Sequence, residues 1–204
     1  MRLAIIGAGG HVKVVADAAR SAGLEIAGFV EEREIVFPTL LGLPVVSDIG
    51  ALEPDAFVAA IGDNAARKDC FDRYIERGLT ATTIVHSSAV VTAGVEVGRG
   101  TVVFAGVVIN IDTAIGDNVI INASASVDHD CSIGSHAHVA PGCLLAGGVR
   151  VGDGALLGIG TCVTPGIEIG EWSVCGAGAA VVRDVTARST VAGVPARPLQ
   201  GAAS

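Results

Sequence analysis

The stretch "SVDHDCSIGSHAHVAPG", residues 126–142, carries an aliphatic residue at every sixth position, namely Val127, Ile133 and Val139. The same spacing runs over residues 85–181, with a cysteine once in place of an aliphatic residue. An amphipathic helix repeats about every 3.6 residues and a strand every two, so neither produces this pattern. The six-residue repeat therefore indicates a different kind of fold for the C-terminal part of the chain.

A second rhythm overlies the first, because glycines that follow the aliphatic position recur eighteen residues apart. Three strands of six residues per turn predict a triangular prism, a parallel β-helix. The aliphatic residue points inward, a small residue two positions earlier fits the corner, and the glycine is expected to supply a turn conformation closed to other residues. The glycines are Gly98, Gly116, Gly134, Gly152 and Gly170.

The N-terminal part alternates strand and helix signals. "RLAIIGAGG" reads as a buried strand that enters a glycine turn, and "HVKVVADAARSAG" reads as an amphipathic helix that ends at Gly23. "EIAGFVEE" and "AFVAAIGDN" are further strands, and "ARKDCFDRYIERG" is a second helix that stops at Gly78. The pattern predicts a small parallel α/β sheet over residues 1–83, followed by the β-helix with a C-terminal tail over residues 84–204.

Composition narrows the possible partners. The 204 residues are 50% hydrophobic and only 3% aromatic, with a net charge of −8, so we expect a folded chain with an aliphatic core. The acidic balance argues against nucleic acid and anionic membranes. Apolar segments are too short for a signal peptide or a membrane span. The five cysteines lack zinc spacing and are expected to be buried, reduced thiols of a cytoplasmic protein.

The whole chain resembles a known family. "IIGAGGHVKVV", "FVEE", "AAIGDNAARK", "TIVHSSAVV" and "VDHDCSIGSHAHVAPG" occur in the order seen in bacterial nucleotide-sugar N-acetyltransferases and sialic acid O-acetyltransferases. In these proteins a Rossmann-like domain precedes a left-handed β-helix of hexapeptide repeats. The resemblance implies acetyl-CoA as the co-substrate, no metal cofactor, and a homotrimer with active sites between subunits.

Two residues carry the expected chemistry. By resemblance, His129 is the general base that takes the proton from the attacking amine, which suits a side chain that titrates near neutrality. Asp130 is the carboxylate expected to support it, with Asp128 as the rival. Metal binding and a solvated turn without a role remain alternatives for this histidine-rich stretch.

The repeat also predicts which residues of one chain can lie close together. His129 lies two positions beyond the inward Val127, at a turn, whereas His138 precedes the inward Val139 and faces outward. The two histidines are nine residues apart, half of an eighteen-residue coil, so they lie on different sides of one prism. We therefore expect His129 of one subunit to approach His138 of a neighbour, and a cleft between subunits rather than a zinc site.

The resemblance also assigns binding residues. Those for acetyl-CoA are Asn122, His138, Gly147, Ile159 and Ala177, and Gly147 stacks one coil above His129. Those for the nucleotide sugar are Gly9, Gly10 and His11 at the diphosphate, Glu31 and Glu32 after the second strand, and Gly62. A glycine turn that opens a helix suits phosphate because its N–H groups point at the anion. Arg67 is either a helix-face charge or a phosphate contact.

The function implied is acetyl-CoA-dependent N-acetylation of a nucleotide-linked amino sugar, such as a UDP- or GDP-linked 4-amino-deoxy sugar, for polysaccharide or glycoprotein synthesis. Two alternatives stay open. One is O-acetylation of a sugar of the sialic acid type. The other is a non-catalytic or metal-binding hexapeptide protein. Metal binding of the carbonic-anhydrase-like type would need three histidines at one subunit interface.

Overall fold

A computed structural model describes residues 1–7 and 9–199 of the chain. The predicted end of the C-terminal tail, residues 200–204, and Ala8 of the glycine turn lie outside the described residues. The N-terminal part forms the predicted α/β domain. Its elements are β1 Arg2–Ile6, α1 Gly10–Ser21, β2 Glu25–Val30, β3 Thr39–Leu40, β4 Leu43–Val46, a 3-10 helix Ile49–Leu52, β5 Ala56–Ala59 and α2 Asn64–Glu76.

The strands of this domain form one sheet in the order β3-β4-β2-β1-β5. All neighbouring pairs are parallel except β3 and β4, which form a hairpin. The two predicted helices are confirmed, and Gly23 and Gly78, with φ near +74° and +82°, follow their last turns. The carboxyl ends of β1, β2 and β5 meet at one edge, where an open parallel sheet binds ligands.

The predicted parallel β-helix is confirmed, and its three sides are each a ladder of short parallel strands. The first side holds β7 Val90–Val91, β10 Val108–Ile109, β13 Ser126–Val127, β16 Leu144–Leu145, β19 Cys162–Val163 and β22 Ala180–Val181. The second side holds β8 Glu96–Val97, β11 Ala114–Ile115, β14 Ser132–Ile133, β17 Arg150–Val151 and β20 Glu168–Ile169. The third side holds β6 Ile84–Val85, β9 Val102–Val103, β12 Ile120–Ile121, β15 His138–Val139, β18 Leu156–Leu157, β21 Val174–Cys175, β23 Thr190–Ala192 and the antiparallel β24 Arg197–Pro198.

The register of these ladders is eighteen residues, as expected. Val127, for example, pairs with Ile109 below and Leu145 above. The every-sixth residues are buried from Val103 to Val181, while those of the first coil are only partly buried because no coil lies below them. The small residues two positions earlier are buried in the corners, as Ala125, Cys131 and Ala137 illustrate.

The reason predicted for the repeating glycines is wrong. Gly98, Gly116, Gly134, Gly152 and Gly170 do not have a positive φ. A Cβ at Gly134 would instead lie 2.4 Å from Asp153 Oδ1 and 2.6 Å from the Asp153 nitrogen in the next coil. These glycines are required by the close approach of successive coils. The left-handed turn position lies two residues later, where φ is positive for Gly100, Asn118, His136, Gly154 and Trp172.

The α/β domain packs on the third side of the prism. Ile84, Val102, Phe104 and Ile120 of that side share one apolar cluster with residues of β1, α1 and β2. The corner between the second and third sides contacts α2, where the Phe71 ring lies 5.8 Å from the His136 ring. His136 is therefore partly covered by the other domain, although its place at a corner of the coil would suggest a surface residue.

Four of the five cysteines are buried as expected, but Cys162 is exposed. It precedes the inward Val163 on its strand, so its side chain points out of the prism. Burial raises the pKa of the thiols of Cys131 and Cys143, which disfavours a thiolate nucleophile there. No helix in the described part of the chain combines the length and apolar character needed to cross a membrane.

Candidate active site

The residues expected to bind the nucleotide sugar line one cavity of about 580 Å³ at the carboxyl ends of β1, β2 and β5. Gly9 and Gly10 begin α1 there, and a Cβ at either position would meet nothing within 4 Å, so their backbone is open to a ligand. Gly62 lines the opposite wall after β5. A helix N-terminus that faces an open cavity is suited to a phosphate.

The two glutamates at the end of β2 differ in their surroundings. Glu32 is held from α2, since it forms an ion pair with Arg73 and accepts a hydrogen bond from the Tyr74 hydroxyl at 2.8 Å. Within the described residues, the Glu31 carboxylate accepts one hydrogen bond, from the Arg33 backbone N–H at 3.1 Å. Both carboxylates line the cavity, but Glu31 is the freer of the two to accept from a ribose or a base.

His11 lies at the inner end of the cavity, where the two domains meet. Its ring packs edge-on against Phe104 of the β-helix, with 5.7 Å between ring centroids. Its Nε2 is buried and has no hydrogen-bond partner among the described residues. Burial, helped by the nearby cation of Arg67, lowers the pKa of His11. The ring is therefore neutral at neutral pH, and its Nε2 is buried near the domain junction.

His129 lies at the corner between the first and second sides of the prism. Its Nδ1 lies 2.6 Å from Asp130 Oδ2, and the ring is largely exposed. Asp128 instead accepts the His129 backbone N–H at 2.8 Å and the Asn110 side-chain amide at 2.9 Å. The hydrogen bond with Asp130 is the main reason that the pKa of His129 is raised, with Asp128 a further cause. When Nδ1 donates to Asp130, Nε2 is left free to accept a proton.

Gly147 lies one coil above His129, as the repeat predicted. A Cβ at this position would lie 2.6 Å from His129 Cε1 and 2.7 Å from its Nε2, so the imidazole occupies space that only glycine leaves open. The neighbouring amides of Ala146 and Gly148 donate to Val163 and His129. The N–H of Gly147 donates to no acceptor among the described residues. A free amide donor thus lies directly beside the imidazole.

His138 lies on the third side, at the domain junction rather than beside His129. The Asn122 side-chain amide lies 3.1 Å from its Nε2, and the backbone of Gly62 is close enough to interact with the ring. Burial, with smaller effects of Arg67 and His11, lowers the pKa of His138 to about 4. His138 and Asn122 are therefore joined to the loop that lines the cavity of their own chain.

The remaining residues expected to bind acetyl-CoA follow Asn122 along the same corner, between the third and first sides. Ile159 is 62% exposed, and its carbonyl accepts the Gly178 N–H at 2.7 Å in the coil above. Ala177 is exposed in that upper coil. The expected cofactor residues thus form two groups: Asn122, His138, Ile159 and Ala177 at or beside one corner, and Gly147 at the other.

One copy of the chain does not bring its expected residues together. Among the described residues, His129 is not part of the lining of the cavity that holds Gly9, Gly62 and Glu31. The first side of the prism separates the His129 corner from the corner that carries Asn122. The described residues also contain no group of three His, Cys, Asp or Glu side chains placed to hold a metal ion.

Sequence reasoning missed the polar cluster that joins the domains. Arg67 was expected on an exposed helix face or at a phosphate, but it is 1% exposed and binds backbone carbonyls of the β-helix. Asn118 and Asn64 are buried beside it. The repeat could have placed Asn118 at a corner with a left-handed backbone. Nothing in "NAARK" indicates which surface α2 covers, so the burial of Arg67 could not be predicted.

Known proteins are similar over nearly the whole chain. The family described as PglD N-terminal domain matches residues 2–74, and the bacterial transferase hexapeptide family, with six repeats, matches residues 112–147. A variant of perosamine N-acetyltransferase from Caulobacter crescentus, solved with CoA and GDP-perosamine, is 41% identical, with a TM-score of 0.91. The match covers 98% of this chain and 97% of that one. A comparison with curated protein sequences returns no match.

Two further solved structures are similar over nearly the whole chain. The acetyltransferase domain of PglB from Neisseria gonorrhoeae is 34% identical, with a TM-score of 0.91 and coverage of 97% of this chain and 99% of that one. WeeI from Acinetobacter baumannii is 25% identical, with a TM-score of 0.88 and coverage of 98% and 100%. The fold is an α/β domain followed by a left-handed β-helix. The chain belongs to the bacterial nucleotide-sugar acetyltransferase family of hexapeptide-repeat enzymes.

Proposed function

We propose that this chain transfers the acetyl group of acetyl-CoA to the amino group of a nucleotide-linked amino sugar. The observation that carries the proposal is that Gly9, Gly10, His11, Glu31, Glu32 and Gly62 line one cavity at the ligand-binding edge of the sheet. The solved relatives supply the chemistry, since one was bound to CoA and GDP-perosamine and another to acetyl coenzyme A. A GDP-linked 4-amino sugar is therefore the first substrate to test.

His129 acts as the general base in this proposal, and Asp130 is its supporting carboxylate. The amine nitrogen attacks the thioester carbon, its proton passes to His129 Nε2, and the CoA thiolate leaves and is protonated. The hydrogen bond of 2.6 Å between Nδ1 and Asp130 supports this assignment, because it orients the ring and stabilises the imidazolium that forms. Asp128 supports the loop through backbone and Asn110 contacts instead.

The N–H of Gly147 stabilises the oxygen of the tetrahedral intermediate in this scheme. Developing negative charge on a carbonyl oxygen is stabilised by a backbone donor that is already in place. Gly147 supports this role because its N–H has no acceptor among the described residues and lies beside the His129 ring. Asn122, His138, Ile159 and Ala177 of a neighbouring copy would hold the pantetheine arm.

The active unit is proposed to be a homotrimer that packs through the first side of the prism. Most outward strand positions there are apolar, with Ser126 the exception. Val90, Leu144 and the adjoining Val182 are 60%, 51% and 43% exposed in the single chain. The corresponding positions on the second side include Glu96, Arg150 and Glu168. An exposed apolar face of this kind is typical of a subunit interface. Packing through it would bring the His129 corner of one copy beside the Asn122 corner of the next.

The cellular setting follows from the proposed substrates. Acetyl-CoA and nucleotide sugars are both cytoplasmic metabolites, so we propose that the enzyme acts in the cytoplasm. Its product would supply a glycosyltransferase that builds a surface polysaccharide or a glycoprotein.

A substrate screen tests the proposed reaction. Purified protein with acetyl-CoA and UDP-, GDP- or dTDP-linked 4-amino sugars is expected to release CoA thiol with at least one of them. A His129→Ala variant should lose about 100-fold or more in kcat, because general base catalysis contributes roughly that much. Thiol release only with hydroxyl acceptors would reject N-acetylation in favour of sugar O-acetylation.

The proposed interface has its own test. Leu144→Glu places a charge in the centre of the first side and should yield monomers that keep their circular dichroism spectrum but lose turnover. Arg150→Glu, at the equivalent strand position of the second side, is the matched control and should stay trimeric. Light scattering reports both, and a fully active Leu144→Glu monomer would contradict the trimeric active unit.

A further inference from the structure

Arg67 is a fully buried cation at the junction of the two domains. It lies in the first turn of α2 and is 1% exposed, yet none of the ion pairs in the described part of the chain includes it. A buried charge without a counter-ion is costly unless hydrogen bonds compensate for its lost hydration. The question for Arg67 is therefore which groups its guanidinium joins.

The guanidinium donates to acceptors on both domains. Nε donates to the Asn118 carbonyl at 3.2 Å, Nη1 to the carbonyls of Ile61 and Gly62 at 3.1 and 3.4 Å, and Nη2 to Asn64 Oδ1 at 2.8 Å and to the carbonyls of His136 and Ala137 at 2.7 and 3.3 Å. Two of these carbonyls belong to the cavity loop, and three belong to two successive coils of the β-helix. The planar fork of arginine can satisfy several acceptors at fixed angles, which a lysine ammonium cannot do.

Neighbouring contacts complete the joint. Asn118 Nδ2 donates back to the Arg67 carbonyl at 3.3 Å and lies 2.9 Å from His136 Nδ1. Asn64 Nδ2 donates to the carbonyls of Gly154 and Ala155 at 3.0 and 3.2 Å. The first turn of α2 is thereby bonded to three successive coils. The loop between β5 and α2 has little freedom to move relative to the prism.

The joint connects two functional regions. Gly62 lines the nucleotide-sugar cavity, and Ala137 directly precedes His138, which contacts Asn122. Burial, with a smaller effect of the Arg67 cation, lowers the pKa of His11 and of His138, so both rings are neutral at neutral pH. Arg67 therefore acts on the cavity wall and on the proposed cofactor side at the same time.

We infer that Arg67 is a positioning residue that sets the distance and angle between the nucleotide-sugar cavity and the acetyl-transfer site on the β-helix. The inference rests on the proposed acetyl transfer. Arg67 touches neither substrate in this account. Arg67 joins the Gly62 loop, which lines the nucleotide-sugar cavity, to the coils proposed to hold acetyl-CoA. The amine then reaches the thioester in a reactive orientation. Small errors in such an alignment reduce turnover more than they reduce binding.

The test is the Arg67→Lys variant, which keeps the charge but loses the fork. We expect kcat to fall about tenfold or more, while the dissociation constants for GDP and for CoA change less than about threefold, as misalignment predicts. Arg77→Lys, at the exposed C-terminal end of α2, is the matched control and should stay within about twofold of the parent in all three quantities. Asn64→Ala is the second variant and should lower kcat by a smaller factor in the same manner.

A physical readout separates this inference from the proposed function. Hydrogen exchange of the amides in residues 60–64 should accelerate in Arg67→Lys and not in Arg77→Lys, whether or not the parent transfers acetyl groups. Emission of Trp172, the only tryptophan in the chain, whose indole lies against Gly154, reports whether the upper coils keep their packing. Unchanged exchange, an unchanged kcat in folded Arg67→Lys, or a loss confined to nucleotide affinity would each overturn the inference.

Discussion

At the scale of single residues, the proposed chemistry depends on how the His129 ring is held. Asp130 adopts a left-handed backbone with φ of 59°, which aspartate tolerates better than most residues. That conformation turns two neighbours in the sequence toward each other, so adjacent side chains contact as they could not along an extended strand. The pairing with Asp130 arises from a corner of the coil and not from strand geometry.

The first prediction concerns the pH dependence of turnover. His129 must be neutral to accept a proton, so activity falls as the pH drops below its pKa, and Asp130 raises that pKa. Asp130→Asn should therefore move the acidic limb of kcat/KM to lower pH and reduce kcat about 10- to 100-fold. Asp17→Asn, on the exposed face of α1, is the control. An acidic limb that stays in place would remove Asp130 from the mechanism.

The second prediction concerns the space beside the imidazole. Gly147 does not have a positive φ, so alanine fits its backbone, but the added Cβ would press on the His129 ring. Gly147→Ala should lower kcat about tenfold or more while stability changes by less than about 1 kcal/mol, because the exposed ring can swing aside. Gly50→Ala in the 3-10 helix is the control. Full turnover in Gly147→Ala would show that the ring position observed here is not needed.

At the scale of elements, the coil uses glycine for two separate reasons. Gly134 lies against the backbone of Gly152 and Asp153 in the next coil, which cannot move aside as a flexible side chain could. Gly160 has φ of +69° and open space around a Cβ, so only its backbone conformation favours glycine. The first kind fixes the spacing between coils, and the second kind turns the corner.

The third prediction compares the two kinds of glycine. Gly160→Ala should cost about 1–2 kcal/mol, the cost of a left-handed alanine. Gly134→Ala should cost about 3 kcal/mol or more, since overpacking must push two rigid coils apart. Denaturant unfolding followed by circular dichroism ranks the two variants, and a Gly134→Ala protein as stable as Gly160→Ala would contradict the close-approach explanation.

Much of the fold could be predicted because the six-residue repeat places each residue on the coil by its position in the sequence alone. Counting along residues 85–181 predicts which residues lie on a side, which lie at a corner and which point inward. In the structure, every sixth residue from Val103 on is buried, as predicted. The residues that line the cavity were predicted from their resemblance to family motifs. The domain junction could not be predicted, because the burial of Arg67 and His136 depends on which surface α2 covers. The helical spacing of Cys70, Phe71 and Tyr74 marks the buried face of α2, but it does not say that part of this face meets the β-helix.

At the scale of the whole molecule, one chain contains the parts of the proposed site but separates them. The cavity, His138 and Asn122 are joined through the Gly62 loop on and beside the third side, and His129 lies at the opposite edge of the first side. The apolar first side lies between them. The proposed site therefore requires a second copy, whose His129 faces the substrates held by the first.

Mixed trimers test this requirement most directly. His129→Ala and His138→Ala proteins should each be nearly inactive alone. Dissociation and reassembly of a 1:1 mixture should restore about a quarter of the parent activity, because that share of interfaces pairs an intact His129 with an intact His138 in a cyclic oligomer. If the mixture regains no activity although mixed trimers form, each active site lies within one subunit, and the proposal of a site shared between subunits is wrong.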